Sequence, residues 1–386
     1  MEGNLRQIIL WLAAVAVIVA VILGVRLAIL RSAELAGSPL NPTLATSAPF
    51  GNPPKQWGVF ANAFQINDLD DPFSPAKIDA TIVVLKDLGV NAVLLPYEAL
   101  PTGEPNDAVN DVMVDKFSKA GLSIVMLCCD GFEFGETNRY QAAYEFAQRL
   151  GQKYGNQIHY FQFLNEISGT AIKPGHSGFT FDDYEPEKYV KIRELLRGLT
   201  DGLASASPRA HRILSAHWLG IGIIDQLIND RVSFEIVAWH WFSDMGPDPV
   251  AIPLATERGV PAEFDGQIFN LPAHFTKQGK RFWVTETNLT NGSLNGLERQ
   301  QADYLRHMLE VVKATDNISG FFYYRLTDGA ENAGKSAWGL YETSKTADGS
   351  TLNYDHPKEA YQVYKDFLKI EHQARPVPFD LQPTNR

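Results

Sequence analysis

The chain has 386 residues, 45% of them hydrophobic and 20% charged, with a formal net charge of -11. That much apolar material excludes a disordered chain and suffices for one large buried core or two ordinary ones. The acidic balance, with no Lys/Arg-rich run to neutralise phosphates, argues against a nucleic-acid partner.

From Ile8 to Val25 the run IILWLAAVAVIVAVILGV carries no charge. At ~1.5 Å per residue it covers most of a ~30 Å hydrocarbon core. Residues 1–31 are therefore expected to form an N-terminal membrane anchor, a single transmembrane helix. A cleaved signal peptide would have a shorter apolar region followed by a small-x-small site, which Ser32 to Gly37 matches poorly. Arg6 lies on one side of the run and Arg26 and Arg31 on the other, so positive charge does not fix the orientation. Residues 32–56 contain five prolines and two glycines and read as an extended, semi-rigid linker.

Residues 57–370 form one body of about 300 residues, within the ~200 to 400 typical of a (β/α)₈ barrel. Eight short apolar or aromatic runs mark strands: WGVFANAF, VNAVLL, LSIVML, IHYFQFL, RILSAHW, FEIVAWHWF, RFWVTE and GFFYYRL. Stretches of helical spacing separate them, from PAKIDATIVVLKDLG near Pro75 to HPKEAYQVYKDFLKI near His356, with LGIGIIDQLIND ambiguous. KDLGVN, SKAGLS and KQGKRF each place a glycine between a helix and the next strand, as a left-handed cap feeding a parallel strand would. The expected fold is α/β, a (β/α)₈ TIM barrel, followed by a short C-terminal tail, residues 371–386.

Functional groups of such a barrel gather at the C-terminal ends of its strands. Strand four ends in Asn165-Glu166, and strand seven ends in Thr285-Glu286. Burying a carboxylate costs several kcal/mol unless it is paired or its pKa moves. Two that converge across a barrel mouth suit glycosidic bond cleavage, one protonating the leaving oxygen and one meeting the oxocarbenium-like centre.

With that placement the body resembles the clan A glycoside hydrolases, retaining (β/α)₈ enzymes, and within them families 39 and 5 and the membrane-anchored hydrolases of bacterial exopolysaccharides. The resemblance implies Glu166 as general acid/base, Asn165 as partner of the sugar 2-hydroxyl, and Glu286 as nucleophile. It also implies His240 of AWHWFSD lining the sugar site and Trp338 of KSAWGLYE as a sugar platform. Rings at strand ends, Trp218, Trp239, Trp241, Tyr323 and Tyr324, suit the apolar faces of sugars, and Asn62 adds a polar group to strand one. Two departures stand out. Leu94 occupies the place of an Arg on strand two, and Phe242 that of a Tyr on strand six, both usual partners of the nucleophile. Arg325, Tyr323 and His217 are candidate replacements.

The expected function is a retaining hydrolase of β-glycosidic bonds in a polysaccharide or oligosaccharide, with the body outside the cytoplasm at the periplasmic or outer face. The negative charge of Glu286 and a partly dry cleft are expected to raise the pKa of Glu166. Alternatives are a non-catalytic carbohydrate-binding or scaffold protein, motivated by the two departures, and a transglycosidase using the same glutamates. No cofactor or metal is called for, because the nine histidines show neither HExxH nor His-x-His at a strand end. Adjacent Cys128 and Cys129 are either two small buried residues or a vicinal disulfide.

Overall fold

A computed structural model describes residues 55–61, 74–100, 102–129, 134, 137–328, 337–345 and 352–374. All lie in one compact unit, Pro54–Arg386. The expected anchor and most of the linker lie outside the described residues, and among those described no helix is long and apolar enough to cross a membrane.

Eight parallel strands close a barrel: β1 (Gln56–Phe60), β2 (Ala92–Pro96), β3 (Ser123–Cys128), β4 (Tyr160–Phe163), β5 (His211–His217), β6 (Ile236–Phe242), β7 (Arg281–Asn288) and β8 (Ile318–Tyr323). Each neighbours the next, and β8 closes on β1. Eight of the helices alternate with the strands: α1 (Pro75–Leu88), α2 (Asp107–Lys119), α3 (Arg139–Tyr154), α4 (Pro186–Ala206), α5 (Ile221–Asn229), α6 (Leu271–Lys277), α7 (Glu298–Ala314) and α8 (Glu359–Ala374). The ambiguous segment after β5 is thus a helix, burying Ile221, Ile223, Ile224 and Leu227. The glycines ending α1, α2 and α6, Gly89, Gly121 and Gly279, have φ of 88°, 76° and 77°, so left-handed residues turn the chain toward the next strand as expected.

Period-two alternation divides the apolar residues into two clusters. Phe60, Leu94, Val125, Tyr160, Ile213, Ile236, Ala238, Trp283 and Phe322 fill the barrel. Their neighbours along each strand, such as Val59, Val93, Phe161, Leu214, Trp239 and Phe321, face the helices. The interior matches large rings to missing side chains. A Cβ on Gly320 would sit 2.4 Å from the Trp283 indole, and one on Gly58 2.3 Å from the Phe322 ring. Between α3 and α4, Gly202 brings two backbones together, and a Cβ there would meet the Tyr144 carbonyl oxygen at 2.1 Å.

Two insertions were not legible in the sequence pattern. Between β6 and α6 the chain makes short 3₁₀ turns and a small antiparallel pair, Ile252–Pro253 with Ile268–Phe269. After β8, Tyr341–Lys345 pairs with Leu352–Pro357 as an antiparallel hairpin. Their strands are too short, or alternate too weakly, for periodicity to separate them from loop.

Candidate active site

Two local devices aim the carboxylates. At the end of β4, Leu164 and Glu166 both adopt left-handed backbone, with φ of 60° and 47°. The chain therefore turns sharply off the strand, and Glu166 caps the short helix Ile167–Ala171. Ser215 of β5 holds this turn: its hydroxyl donates to the Leu164 carbonyl (3.3 Å) and accepts from the Glu166 N–H (3.1 Å). Non-glycine residues in this region cost of order 1 kcal/mol or more, and persist where their surroundings impose the conformation.

On β7 the device is a register shift. Ala238 of β6 pairs with Trp283, Trp239 with Val284, and His240 with Glu286, so β7 uses one residue more than β6 over this stretch. Trp283 faces the barrel interior. Strict alternation would turn Glu286 toward the helices, and the extra residue returns it to the side of His240.

The result is a compact cluster. His240 Nδ1 lies 2.8 Å from Glu166 Oε1 and 3.5 Å from Glu286 Oε2. One donor atom from each of the three residues lies within 4.8 Å of the other two, and among the described residues this is the one group of acidic and histidine side chains close enough to share a cation. His240 is fully buried and its Nε2 has no partner. The Glu286 side chain keeps 10% of its surface exposed, while the Glu166 side chain keeps 35%. On the far side of Glu166, His217 Nδ1 lies 3.1 Å from Ser168 Oγ and 3.7 Å from Glu166 Oε2.

The electrostatics overturn one expectation. Burial pushes the Glu166 carboxyl up, but the hydrogen bond and positive charge of His240, aided by His217, outweigh it and leave the group below its ordinary range. Burial opposes charge on His240, yet Glu286 and Glu166 together raise its pKa. His217 is lowered, mainly by burial, against the attraction of Glu166. The imidazole between the two glutamates is the reason that Glu166 is not raised.

The other expected residues divide. Asn165 is half-buried beside Glu166, with its Oδ1 buried and without a partner. Trp338, also half-buried, packs on Phe242 (ring centroids 5.8 Å) and on Tyr324 (5.2 Å). Asn62 lies outside the described residues. Tyr323 does not face the barrel interior. Phe322 points inward, so Tyr323 is directed toward the helices, fully buried, its hydroxyl donating to Asn288 Oδ1 at 2.9 Å. Trp239 and Trp241 are buried on the helix side for the same reason. Trp218 packs against that layer, stacked on Trp241 at 6.5 Å with the Arg258 guanidinium 5.3 Å from its ring. Leu94 is in the barrel core and Phe242 joins the aromatic wall, so neither replaces a polar partner of Glu286.

Some residues of this end of the barrel left no sequence signal. Asn288 reads only as a glycosylation sequon, yet it is fully buried; its Nδ2 donates to the Tyr324 and Trp338 carbonyls, and it thereby ties the segment after β8 to β7. Ser168 and Ser215 are ordinary in composition and acquire a role only from their neighbours. Cys128 and Cys129, at the end of β3, form a vicinal disulfide.

No protein-family model matches the chain, and no curated protein does. Solved structures do. A family 39 glycoside hydrolase from the gut symbiont Bacteroides cellulosilyticus WH2 superposes with a TM-score of 0.57 at 16% identity, covering 83% of this chain. The match spans 64% of that protein's length. A family 1 β-glucosidase from Thermotoga maritima gives 0.54 at 14% identity, covering 82% of this chain and 97% of its own, and its complex with noeuromycin gives 0.55 at 13%. The chain therefore has the (β/α)₈ fold seen in these glycoside hydrolases of families 39 and 1.

Proposed function

We propose that the protein is a retaining glycoside hydrolase acting on β-linked oligo- or polysaccharide. The observation that carries this reading is the approach of one carboxylate oxygen of Glu166 to within 4.8 Å of one of Glu286 at the C-terminal mouth of the barrel. Retaining enzymes hold their carboxyl groups ~5–5.5 Å apart, whereas inverting enzymes leave ~6.5–9.5 Å for a water. The structural likeness to a β-glucosidase supports a β-glycoside as substrate.

Glu286, the more buried carboxylate, attacks the anomeric carbon; the glycosidic C–O bond breaks as Glu166 delivers a proton to the departing oxygen. Glu166 then takes a proton from water, whose oxygen displaces Glu286. Asn165, with an uncommitted buried acceptor, is placed to engage a sugar hydroxyl, and the wall of Trp338, Tyr324 and Phe242 offers apolar surface to the sugar faces. The apolar run at residues 8–25 would tether the barrel to a membrane, and the Cys128–Cys129 disulfide favours an oxidising, extracytoplasmic compartment.

The reading of a non-catalytic carbohydrate-binding protein is favoured by Leu94, packed in the barrel core, and Phe242, packed on Trp338, which stand where the resemblance calls for polar partners of the nucleophile. Incubation with 2-deoxy-2-fluoro glycosides of the gluco, galacto, manno and xylo series, followed by intact mass and peptide mapping, separates the two. Catalysis requires a covalent adduct on Glu286 that disappears in Glu286→Gln. Polysaccharide binding without adduct or turnover would instead support the binding protein.

A further inference from the structure

The acid of a retaining glycosidase must hold a proton before the first step and lack it before the second. In this chain a third titratable group stands between the two glutamates. His240 Nδ1 is 2.8 Å from Glu166 Oε1 and 3.5 Å from Glu286 Oε2, and the ring has no other polar contact because Nε2 is buried without a partner. Among the described residues, the other titratable group beside Glu166 is His217, whose Nδ1 lies 3.7 Å from the second Glu166 oxygen and within hydrogen-bond distance of Ser168. A hydrogen bond of 2.8 Å places the proton within reach of either heavy atom. Glu166 neutral beside neutral His240 and Glu166 ionised beside charged His240 contain the same number of protons, so the ionised form of Glu166 in the resting site does not mean that the acid proton has been lost.

We propose that His240 is a positioning residue that stores the acid proton jointly with Glu166 and senses the charge of Glu286, so that the two glutamates exchange roles through it. This rests on the retaining reading for its catalytic meaning, but the electrostatic linkage itself does not. In the resting site the negative charge of Glu286 holds one proton on the Glu166–His240 pair. During glycosylation that proton passes through Glu166 to the leaving oxygen, and Glu286 becomes a neutral ester. With Glu286 neutral, His240 has lost one of the two charges that favoured its protonation. Glu166 and His240 then remain as carboxylate and neutral imidazole, the state in which Glu166 can accept a proton from water. When water displaces the ester, Glu286 regains its charge and the pair keeps the proton taken from water. Proton and charge balance over the cycle, and no further reactant is needed.

The test begins without substrate. The full chain is labelled with ¹⁵N-histidine, and the His240 imidazole is assigned by its loss in His240→Gln. Its titration is then followed in the wild type and in Glu286→Gln, which mimics the neutral ester. The expected result is a proton lost at lower pH in Glu286→Gln by about one unit, a tenfold fall in affinity. An unchanged titration overturns the proposal, whether or not the protein is a glycosidase. The kinetic arm uses the sugar that labels Glu286. His240→Gln should move the alkaline limb of kcat/KM to lower pH and slow glycosides with poor leaving groups more than dinitrophenyl glycosides. Equal loss on both, with an unmoved pH profile, would mean that His240 only packs the site. Absence of any turnover in the wild type would sink the hydrolase reading and leave the titration to judge the linkage.

Discussion

Glu98 follows the end of β2 and is 5% exposed, with Oε1 buried and without a hydrogen-bond partner. Its backbone is tied down: Asn110 accepts from the Glu98 N–H and donates to the Glu98 carbonyl, both at 2.9 Å. The backbone is thus held at both of its polar atoms, and burial of the side chain pushes its pKa from an ordinary 4.5 up to about 7. A carboxyl raised on folding binds its proton more tightly in the native state. The contribution of Glu98 to stability is then greatest below pH 4.5, falls as pH rises from 4.5 to 7, and is flat above. A displacement of about 2.5 units, at ~1.4 kcal/mol per unit, corresponds to roughly 3 kcal/mol. Glu98→Gln keeps the shape and removes the titration. Urea unfolding of both proteins from pH 4 to pH 8 should show the variant gaining on the wild type by about 3 kcal/mol across that range. Any fixed cost of the amide cancels in the difference between pH values. A difference that does not vary with pH would refute the reasoning, because it would mean that the carboxylate is solvated or paired in solution.

Glu166→Gln should slow hydrolysis of glycosides with poor leaving groups by on the order of 10²–10⁴ while sparing glycosylation by dinitrophenyl glycosides, as read by steady-state and burst kinetics. Trp338→Ala removes the ring packed on Phe242 and Tyr324 and should raise KM about tenfold, ~1.4 kcal/mol, with little change in melting temperature. Gly202→Ala sets a Cβ 2.1 Å from the Tyr144 carbonyl oxygen and should destabilise the protein by about 1–3 kcal/mol through forced separation of α3 and α4, measured by thermal unfolding. Asn288→Ala strands the Tyr323 hydroxyl and frees the Tyr324 and Trp338 carbonyls; a loss of about 2 kcal/mol or more is expected, together with a higher KM as the aromatic wall loosens.

Much of the architecture is readable from residues alone because it rests on local physics. Each apolar run is a strand because β-branched and aromatic residues there alternate with short amphipathic helices, and the glycines of KDLG, SKAG and KQG announce where the chain reverses. Once eight such units are counted, a closed barrel places the ends of β4 and β7 at one mouth, and Glu166 and Glu286 become candidates without coordinates. What tertiary structure alone decided is which way side chains point. Alternation along β8 sends Tyr323 to the helix side, and alternation along β6 sends Trp239 and Trp241 there while His240 faces the interior. Glu286 would share the fate of Tyr323 but for the extra residue β7 uses opposite Trp239 and His240. A register shift depends on how two strands distant in sequence meet, so no local pattern in RFWVTETN records it. The same holds for the protonation of Glu166, which is set by an imidazole 74 residues away in the chain and 2.8 Å away in space.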